Sequence, residues 1–338
     1  MLVLRPVALD DLPQLQQLAR DSLIGVTSLP DDTDCLRRKI LDSVTSFASD
    51  VQDSGPESYC FVLEDVPGSR LLGCAEIVAS AGARQPFYSF RNRPYVSASR
   101  ELNIHHGVPA LSLCQDLGGF TQLRGFHINH ELAGSAFAQL LSRARLLFIA
   151  AHPQRFGDGV FSEMVGYSDA QGQSPFWDAL GSHFFNLSYA EAEHLRGTHD
   201  RTLLAEMMPH YPIYVPMLPA QAQALIGQVH PDGQEALDIL EHEGFATNGY
   251  VDLFDAGPTL FARTPSIRSV AQSRVAVARA GGTEGGRTRY LASNDDGQNF
   301  RAMLVELDWC ADQPVILDAA TLSALGLQDG SAVRLVAL

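Results

Sequence analysis

The stretch Ile226-Gly-Gln-Val-His-Pro-Asp232, with the residues that follow it, decides the expected fold. Ala236–Phe245 has the apolar spacing of a short amphipathic helix, with Asp232 as a candidate cap and Gly244 as its expected end. Tyr250–Thr259 then continues as a strand. His230 is thus expected directly before a capped helix that leads into a strand, where an imidazole can exchange a proton with a ligand.

Length and composition restrict the class of protein. The chain has 338 residues, enough for two domains or for one large domain with insertions. Its formal net charge of -15 argues against a nucleic-acid partner, and it suits a cationic small substrate. The N-terminus lacks a signal-peptide pattern, and no apolar run approaches the roughly 20 residues of a membrane span. We therefore expect a cytoplasmic protein with no membrane contact.

Cysteine and histidine spacings argue against metal and disulfide sites. The five cysteines are scattered and lack a CxxC pair: Cys35, Cys60, Cys74, Cys114 and Cys310. Neither His105-His106 nor His127-x-x-His130 has the helical i,i+4 spacing or a convincing third ligand. No Gly-x-Ser-x-Gly elbow is present for a serine nucleophile. We expect neither a metal ion nor a permanently bound cofactor.

The first 80 residues are expected to alternate strands and helices. Leu2–Val7 is a predicted strand, and Asp10 is expected to cap a helix that buries Leu12, Leu15, Leu18 and Ala19. A second helix is predicted from about Asp34 to Thr45, with Leu36, Ile40, Leu41 and Val44 as its apolar positions. Tyr59–Glu64 and Leu71–Ala79 then have the pattern of a hairpin, turning at Pro67-Gly68.

The middle of the chain is expected to continue the same alternation after an irregular stretch. Residues 81–110 are predicted to be irregular or short-stranded. Leu111–Cys114 and Leu123–Ile128 follow as strands, and Gly134–Ala151 as a helix. Helices are predicted to start at Ser174-Pro175 and at Pro219, because serine is a favoured N-cap residue and proline is favoured at the first helical position.

A change of composition near Arg274 suggests a domain boundary. Ala280–Arg287 has the composition of a flexible connector, and short strand-like runs follow it. We predict an α/β domain with a mixed sheet over 1–274, with a small β-rich subdomain over 275–338.

Several long motifs resemble the arginine N-succinyltransferase family. They are Arg201–Tyr214, Ile226–Pro231, Glu243–Phe245, Asp252–Leu260 and Gly166–Trp177, with shorter matches at Val26–Pro30 and Phe87–Arg91. The resemblance covers essentially the whole chain. It implies a GNAT-like acyl-CoA N-acyltransferase fold, an α/β (α+β) mixed sheet flanked by helices. It also implies transfer of a succinyl group from succinyl-CoA to the α-amino group of arginine, the first step of succinate-linked arginine catabolism. The chain resembles the alpha subunit of a two-subunit enzyme that also accepts ornithine, so a homologous beta subunit is the implied partner.

The same resemblance implies which residues act. His230 is the implied proton donor, and the strand around Phe126 is implied to bind succinyl-CoA. We therefore take Phe126, His127, Ile128 and the helix-start residue Ser135 as candidate cofactor-binding positions. The alternatives are a structural role for His230 in the adjacent turn and plain core packing for Phe126.

One departure from the family pattern concerns the pyrophosphate loop. Acyltransferases of this type place a glycine-rich basic segment between the central strand and the next helix, where backbone N–H groups hold the CoA pyrophosphate. Ala133–Ala138 lacks the arginine and has alanines in place of the two later glycines. Arg143 and Arg145 lie further along the helix. A non-catalytic or regulatory alpha subunit that supports a catalytic homologue is therefore the second hypothesis.

The acceptor amino acid should need charged partners. A side-chain cation requires carboxylates, for which Glu206, Asp252 and Asp255 are candidates, and an α-carboxylate requires a cation such as Arg91. For each of these residues, an ordinary surface or structural ion pair is the alternative.

Overall fold

The described strands form one large mixed sheet. A computed structural model describes residues 1–101, 104–199, 202–282, 288–311 and 313–338. Most neighbouring strands in this sheet are antiparallel. The motif residue Arg201 and the connector residues 283–287 lie outside the described part of the chain.

The N-terminal segment forms three adjacent strands with two helices packed on them. The elements are β1 (Leu2–Pro6), α1 (Leu12–Arg20), α2 (Thr33–Ala48), β2 (Ser58–Asp65) and β3 (Arg70–Val78). The apolar face predicted for α1 is buried, and the predicted hairpin is confirmed. Two details were wrong. Asp11, rather than Asp10, accepts the Ala8 N–H at the helix start, and Leu41 and Val44 are exposed because only the Leu36–Ile40 side of α2 faces the sheet.

The central segment contains a long hairpin that the sequence did not predict. It consists of β4 (Ser89–Ser99) and β5 (Ile104–Cys114), which pair over eleven positions. The prediction of an irregular 81–110 was therefore wrong. Pro94 and Pro109 face each other in the ladder, and Tyr95 and Val96 are exposed, so the strand lacks the alternation of buried residues that identifies strands in a sequence.

A parallel strand–helix–strand unit lies at the centre of the sheet. β6 (Thr121–Ile128) leads through α3 (Ala136–Ala151) to β7 (Gly159–Glu163), and β6 and β7 pair in parallel. The side chain of Ser135 caps α3 by accepting the Phe137 N–H. α3 is buried along most of its length because it packs under the sheet, where Phe148 contacts Phe47, Tyr59 and Phe61.

Short helices and three strands follow β7. They are α4 (Pro175–Ala179), α5 (Ser182–Phe185), α6 (Tyr189–Thr198), α7 (Thr202–Ala205), β8 (Ile213–Tyr214), α8 (Ala220–Leu225), α9 (Gln234–His242), β9 (Ala246–Val251), β10 (Pro258–Arg263) and α10 (Arg268–Gln272). The predicted helix starts at Ser174-Pro175 and Pro219 are confirmed. Gly244 has a φ of +93° where α9 ends, as predicted. The prediction that Asp232 caps α9 was wrong, because a 3₁₀ turn over Pro231–Gly233 precedes the helix and Gly233 is the cap position.

The last 65 residues add strands to one edge of the sheet. β11 (Arg274–Ala280), β12 (Thr288–Ser293), β13 (Ala302–Leu307), β14 (Val315–Leu317) and β15 (Ala332–Ala337) enclose a separate apolar cluster with α11 (Ala319–Leu325). β13 pairs with β1 at Leu4–Ala302, so hydrogen bonding continues between the two parts. The described strands in order are β14-β11-β15-β12-β13-β1-β2-β3-β6-β7-β10-β9-β4-β5-β8. The mixed α/β class is confirmed, and the domain boundary stays a prediction.

Candidate functional site

A cavity opens where β6 and β7 separate. The two strands pair only at Thr121–Val160 and Gln122–Phe161 among the described residues, and beyond these positions they diverge. The cavity has a volume of about 1360 Å³. Its walls come from β6, the end of β7, the start of α9 and the loop between α1 and α2. A space of this size accommodates a large cofactor-like substrate together with a second small molecule.

His230 lies on the wall of this cavity. Its backbone N–H donates to the Val165 carbonyl, and its Nδ1 accepts the Asp232 N–H at 3.1 Å. A neutral imidazole that accepts at Nδ1 carries its proton on Nε2, the nitrogen left for a ligand. The Asp232 carboxylate lies 3.8 Å from Nδ1, so it is near the second proton that an imidazolium would carry. His230 therefore makes the hydrogen bond to the adjacent turn that a structural histidine would make, and it also lines the cavity.

The candidate strand residues Phe126, His127 and Ile128 line the same cavity. Gly125 precedes them with a φ of +63°, at a point where the register between β3 and β6 shifts. The guanidinium of Arg145 lies 6.0 Å from the centre of the Phe126 ring. Burial lowers the pKa of His127, which favours its neutral form. The structure thus brings His230 and the β6 residues to one cavity, although they are more than 100 positions apart in sequence.

Ser135 has a local role at the start of α3. Its hydroxyl donates to the Leu132 carbonyl and accepts the Phe137 N–H. The neighbouring Ala133 and Gly134 line the cavity. The Gly134 N–H donates to the Glu235 carboxylate at 2.7 Å, so a carboxylate from α9 already binds at this helix start. Arg143 points elsewhere, with its Nε 2.6 Å from Glu243 in a buried ion pair.

The acidic candidates divide into two groups. Asp252 and Asp255 line the cavity and are buried, and Glu163 at the end of β7 joins them. Burial, followed by the charge of Asp252, raises the pKa of Asp255 to about 7. Glu206 is exposed and lies outside the cavity wall described here, and Arg91 is half-exposed and pairs with Asp116 at 2.9 Å.

Sequence reasoning missed a buried charge network behind β6. Glu76 on β3 is 1% exposed and binds Arg124 at 2.6 Å and also Lys39 of α2. Burial alone would raise the pKa of Glu76, but the charges of Arg124 and Lys39 outweigh it and hold the pKa well below its ordinary value. Arg124 also lines the cavity. A glutamate inside an otherwise apolar strand, Leu71–Val78, was the signal that could have identified this network.

Comparison with known proteins identifies the family. A model described as "Arginine N-succinyltransferase beta subunit" matches residues 2–269, and one for its C-terminal domain matches residues 273–337. The chain belongs to the arginine N-succinyltransferase family. The predicted resemblance is thereby confirmed.

Individual members of the arginine N-succinyltransferase family match over the full chain. Arginine N-succinyltransferase subunit alpha of Pseudomonas aeruginosa is 55% identical over 338 residues, with both chains covered completely. The beta subunit of the same organism is 38% identical and covers 100% of this chain and 98% of its own. The solved structure of arginine/ornithine succinyltransferase subunit AI from Pseudomonas aeruginosa superimposes with a TM-score of 0.94 at 53% identity, covering 100% and 98% of the two chains.

The described residues contain neither a membrane-spanning helix nor a metal-binding cluster. Within them, no helix is both long and apolar enough to cross a bilayer. In the same part of the chain, no cluster of three or more His, Cys, Asp or Glu side chains is arranged to hold a metal ion.

Replacing Gly125 with alanine tests the backbone geometry of the cavity wall in this family member. A Cβ at this position would lie 3.1 Å from the Ser28 hydroxyl, and alanine disfavours a positive φ. We expect a loss of about 1–2 kcal/mol in the free energy of unfolding and a lower turnover, measured by urea unfolding and by succinyl transfer.

Gly326→Ala is the matched control for this substitution. Gly326 has a similar φ of +66°, its added Cβ would meet only ordinary contacts, and it lies at the end of α11. The control should lose similar stability and keep full turnover. Equal turnover losses in the two variants would contradict a specific role for the Gly125 geometry.

Proposed function

We propose that the chain is a subunit of an arginine N-succinyltransferase, which transfers the succinyl group of succinyl-CoA to the α-amino group of L-arginine, with L-ornithine as a second acceptor. The observation that carries this proposal is the cavity between the separated strands β6 and β7, in a chain 55% identical over its full length to a subunit of that name. We propose His230 as the catalytic side chain and the β6 edge as the thioester site.

The reaction requires one new bond and one broken bond. The neutral α-amine attacks the thioester carbonyl carbon, so that a C–N bond forms as the C–S bond breaks. The nitrogen loses one proton, and the departing thiolate gains one. The α-amino group of a peptide has an ordinary pKa of about 7.7–8.0 and that of a free amino acid is higher, so a minor fraction of the amine is neutral near pH 7 without a strong base.

His230 is placed to supply the proton that the thiolate needs. The neutral ring whose Nδ1 accepts the Asp232 N–H first takes up a proton on Nδ1, which places that proton on the side of the Asp232 carboxylate, 3.8 Å away. The imidazolium then gives its Nε2 proton to sulfur and is left as the neutral tautomer protonated on Nδ1. The proton released by the attacking nitrogen restores the imidazolium through solvent.

The developing oxyanion is proposed to lie against the β6 edge. Beyond Gln122, β6 has no ladder partner on the β7 side among the described residues. Backbone N–H groups around Phe126–Ile128 are therefore proposed to donate to the carbonyl oxygen. Fixed donors of this kind stabilise charge without rearranging during the reaction.

A second candidate function is a supporting subunit for a catalytic homologue, as the alpha and beta names of the relatives suggest. The bond from the Gly134 N–H to Glu235 favours it, because a carboxylate stands where a pyrophosphate would need a backbone donor. Acidic side chains also outnumber the arginines Arg124, Arg145 and Arg196 along the cavity wall. An anionic CoA would meet repulsion there.

An assay of the full chain with and without its homologous beta subunit separates these functions. Each sample receives succinyl-CoA and L-arginine, and the released thiol is measured. Activity of the chain alone, with micromolar binding of succinyl-CoA by calorimetry, supports catalysis by this chain. Activity only in the pair, unchanged by His230→Asn in this chain, supports the supporting role. No transfer in either sample would reject the proposed reaction.

We also propose that residues 275–338 form a small β-rich domain, which the separate family matches to residues 2–269 and 273–337 support.

The enzyme is proposed to work in the cytoplasm, where free thiols such as those of Cys60 and Cys74 stay reduced.

A further inference from the structure

Three carboxylates contact one guanidinium at one end of the cavity, and a fourth carboxylate lies beside them. The Arg196 guanidinium lies 2.7 Å from Asp252, 3.4 Å from Glu193 and 3.5 Å from Glu163. Asp255 is adjacent, accepting the Tyr189 hydroxyl at 3.0 Å and the Gly257 N–H at 2.8 Å. These acidic residues come from β7, from α6 and from the loop after β9.

The charges of this group do not balance among the described residues. Ionisation of Glu193, Asp252 and Asp255 together would leave a surplus of negative charge around Arg196, and an unpaired buried charge is strongly unfavourable. Glu193 is only 4% exposed, and its Oε2 has no hydrogen-bond partner in the described part of the protein. A buried carboxylate oxygen without a hydrogen-bond partner, beside further carboxylates, favours the binding of a cation in the adjacent cavity.

The raised pKa values of two of these carboxyls agree with a surplus of negative charge at this site. Burial is the main cause that raises the pKa of Glu193 well above its ordinary value, with Asp252 and Asp255 adding to it and Arg196 opposing it. Asp255 titrates at a pKa of about 7 because of its burial and the charge of Asp252. Without a ligand, protons therefore offset part of the negative charge.

We propose that Glu163, Asp252 and Asp255 form the subsite for the side-chain cation of the acceptor amino acid, with Glu193 and Arg196 as its supporting layer. Glu163, Asp252, Asp255 and Arg196 line the same cavity as His230 and Phe126, so a bound acceptor lies near the proposed reaction centre. The inference rests on the proposed function and names its specificity determinants. Guanidinium and ammonium ions fit such a subsite, whereas a neutral side chain leaves the carboxylates unpaired.

Citrulline provides a direct test, because its neutral ureido group has nearly the shape of the arginine guanidinium. The assembled enzyme is assayed with arginine and with citrulline, and binding of each to the full chain is measured by calorimetry. Glu163→Gln and Asp255→Asn remove one charge each with little change of shape. We expect either substitution to raise the KM and Kd for arginine about 10- to 100-fold. The KM for succinyl-CoA should change little.

Glu206→Gln is the matched control, since Glu206 is exposed and outside the described cavity wall. It should leave both KM values unchanged. Equal binding of arginine and citrulline by the unmodified chain would overturn the inference, as would arginine binding unaffected in Glu163→Gln and Asp255→Asn. A wild-type enzyme that discriminates in binding but transfers no succinyl group would reject the proposed function and leave the cation subsite supported.

The pH dependence gives a second readout. Asp255 faces Tyr189 on α6, Asp252 in its own loop, and the Gly166 and Gly257 N–H groups, with Glu193, Arg196 and Glu163 nearby. Raising the pH ionises Asp255, while the guanidinium of arginine stays charged. Arginine binding should therefore tighten about tenfold between pH 6 and pH 8. His127 and His230 line the same cavity, so Asp255→Asn identifies the group responsible: the inference requires this change to disappear in the variant.

Discussion

Replacing His230 with alanine is expected to lower kcat about 10²- to 10⁴-fold, the usual contribution of a positioned proton donor. The substitution leaves the thiolate of CoA to depart without a proton. Binding of succinyl-CoA should change much less, because the imidazole acts on a charge that develops during the reaction. Steady-state kinetics of the assembled enzyme measure both quantities.

A second substitution separates catalysis from the structural role of the ring. His230 accepts the Asp232 N–H, so alanine also removes a cap from the 3₁₀ turn at Pro231–Gly233. Asparagine supplies an acceptor for that N–H and no titrating proton. His230→Asn should keep the stability of the wild type and lose activity as alanine does. His194→Ala, at an exposed position on α6, is the histidine control and should keep full activity.

The nature of the leaving group sharpens this prediction. A succinyl thioester of an acidic aromatic thiol departs readily as a thiolate and needs little protonation. The loss caused by His230→Asn should therefore be much smaller with that substrate than with succinyl-CoA. Equal losses with both thioesters would contradict proton donation to sulfur and would indicate that the imidazole positions the substrate instead.

Local patterns were sufficient to predict the elements that bury one regular face. α1 was predicted because Leu12, Leu15 and Leu18 recur at helical spacing and all contact the sheet. The β4–β5 hairpin was missed because its exposed Tyr95 and Val96 and its paired prolines give no alternation of buried residues. Its register depends on pairing between strands, which a single strand's sequence does not encode.

The site shows the same division. His230 and the β6 strand were identified through motifs, and the divergence of β6 from β7 brings them to one cavity. The acidic subsite could be predicted only in part. Asp252 and Asp255 were candidates because an acceptor cation needs carboxylates, whereas Glu163 and Glu193 join them only through the packing of β7 and α6. No sequence spacing relates residues on such separate elements.

A single substitution at Glu76 should strongly reduce stability. Its carboxylate is buried between Arg124 and Lys39, whose side chains are 24% and 11% exposed. Glutamine keeps the shape of the side chain but removes the negative charge that contacts both Arg124 and Lys39. We expect Glu76→Gln to lower the free energy of unfolding by about 3–5 kcal/mol, measured by urea unfolding near pH 7.

Two further variants make the cause of this loss testable. Adding Lys39→Met to Glu76→Gln removes one unpaired cation and should recover part of the stability, because an apolar replacement of a buried pair is tolerated better than a broken one. Asp158→Asn removes a carboxylate that is 75% exposed and pairs with Arg263, and it should cost less than about 1 kcal/mol. Similar losses for Glu76→Gln and Asp158→Asn would contradict a burial effect.

Acidification gives the sign of the Glu76 contribution independently. Its pKa is depressed in the folded chain, so its stabilisation is present above the ordinary glutamate pKa of 4.5 and is lost as the pH falls below that value. The pKa values of Asp255 and Glu193 are raised, so their contribution to the free energy of unfolding falls as the pH rises. Both groups are present in the wild type and in Glu76→Gln, so their contributions cancel in the difference between the two proteins. The stability difference between wild type and Glu76→Gln should therefore be constant above about pH 6 and shrink below pH 4.5. A difference that stays constant down to pH 3 would mean that Glu76 stabilises the fold through its shape and not through its charge.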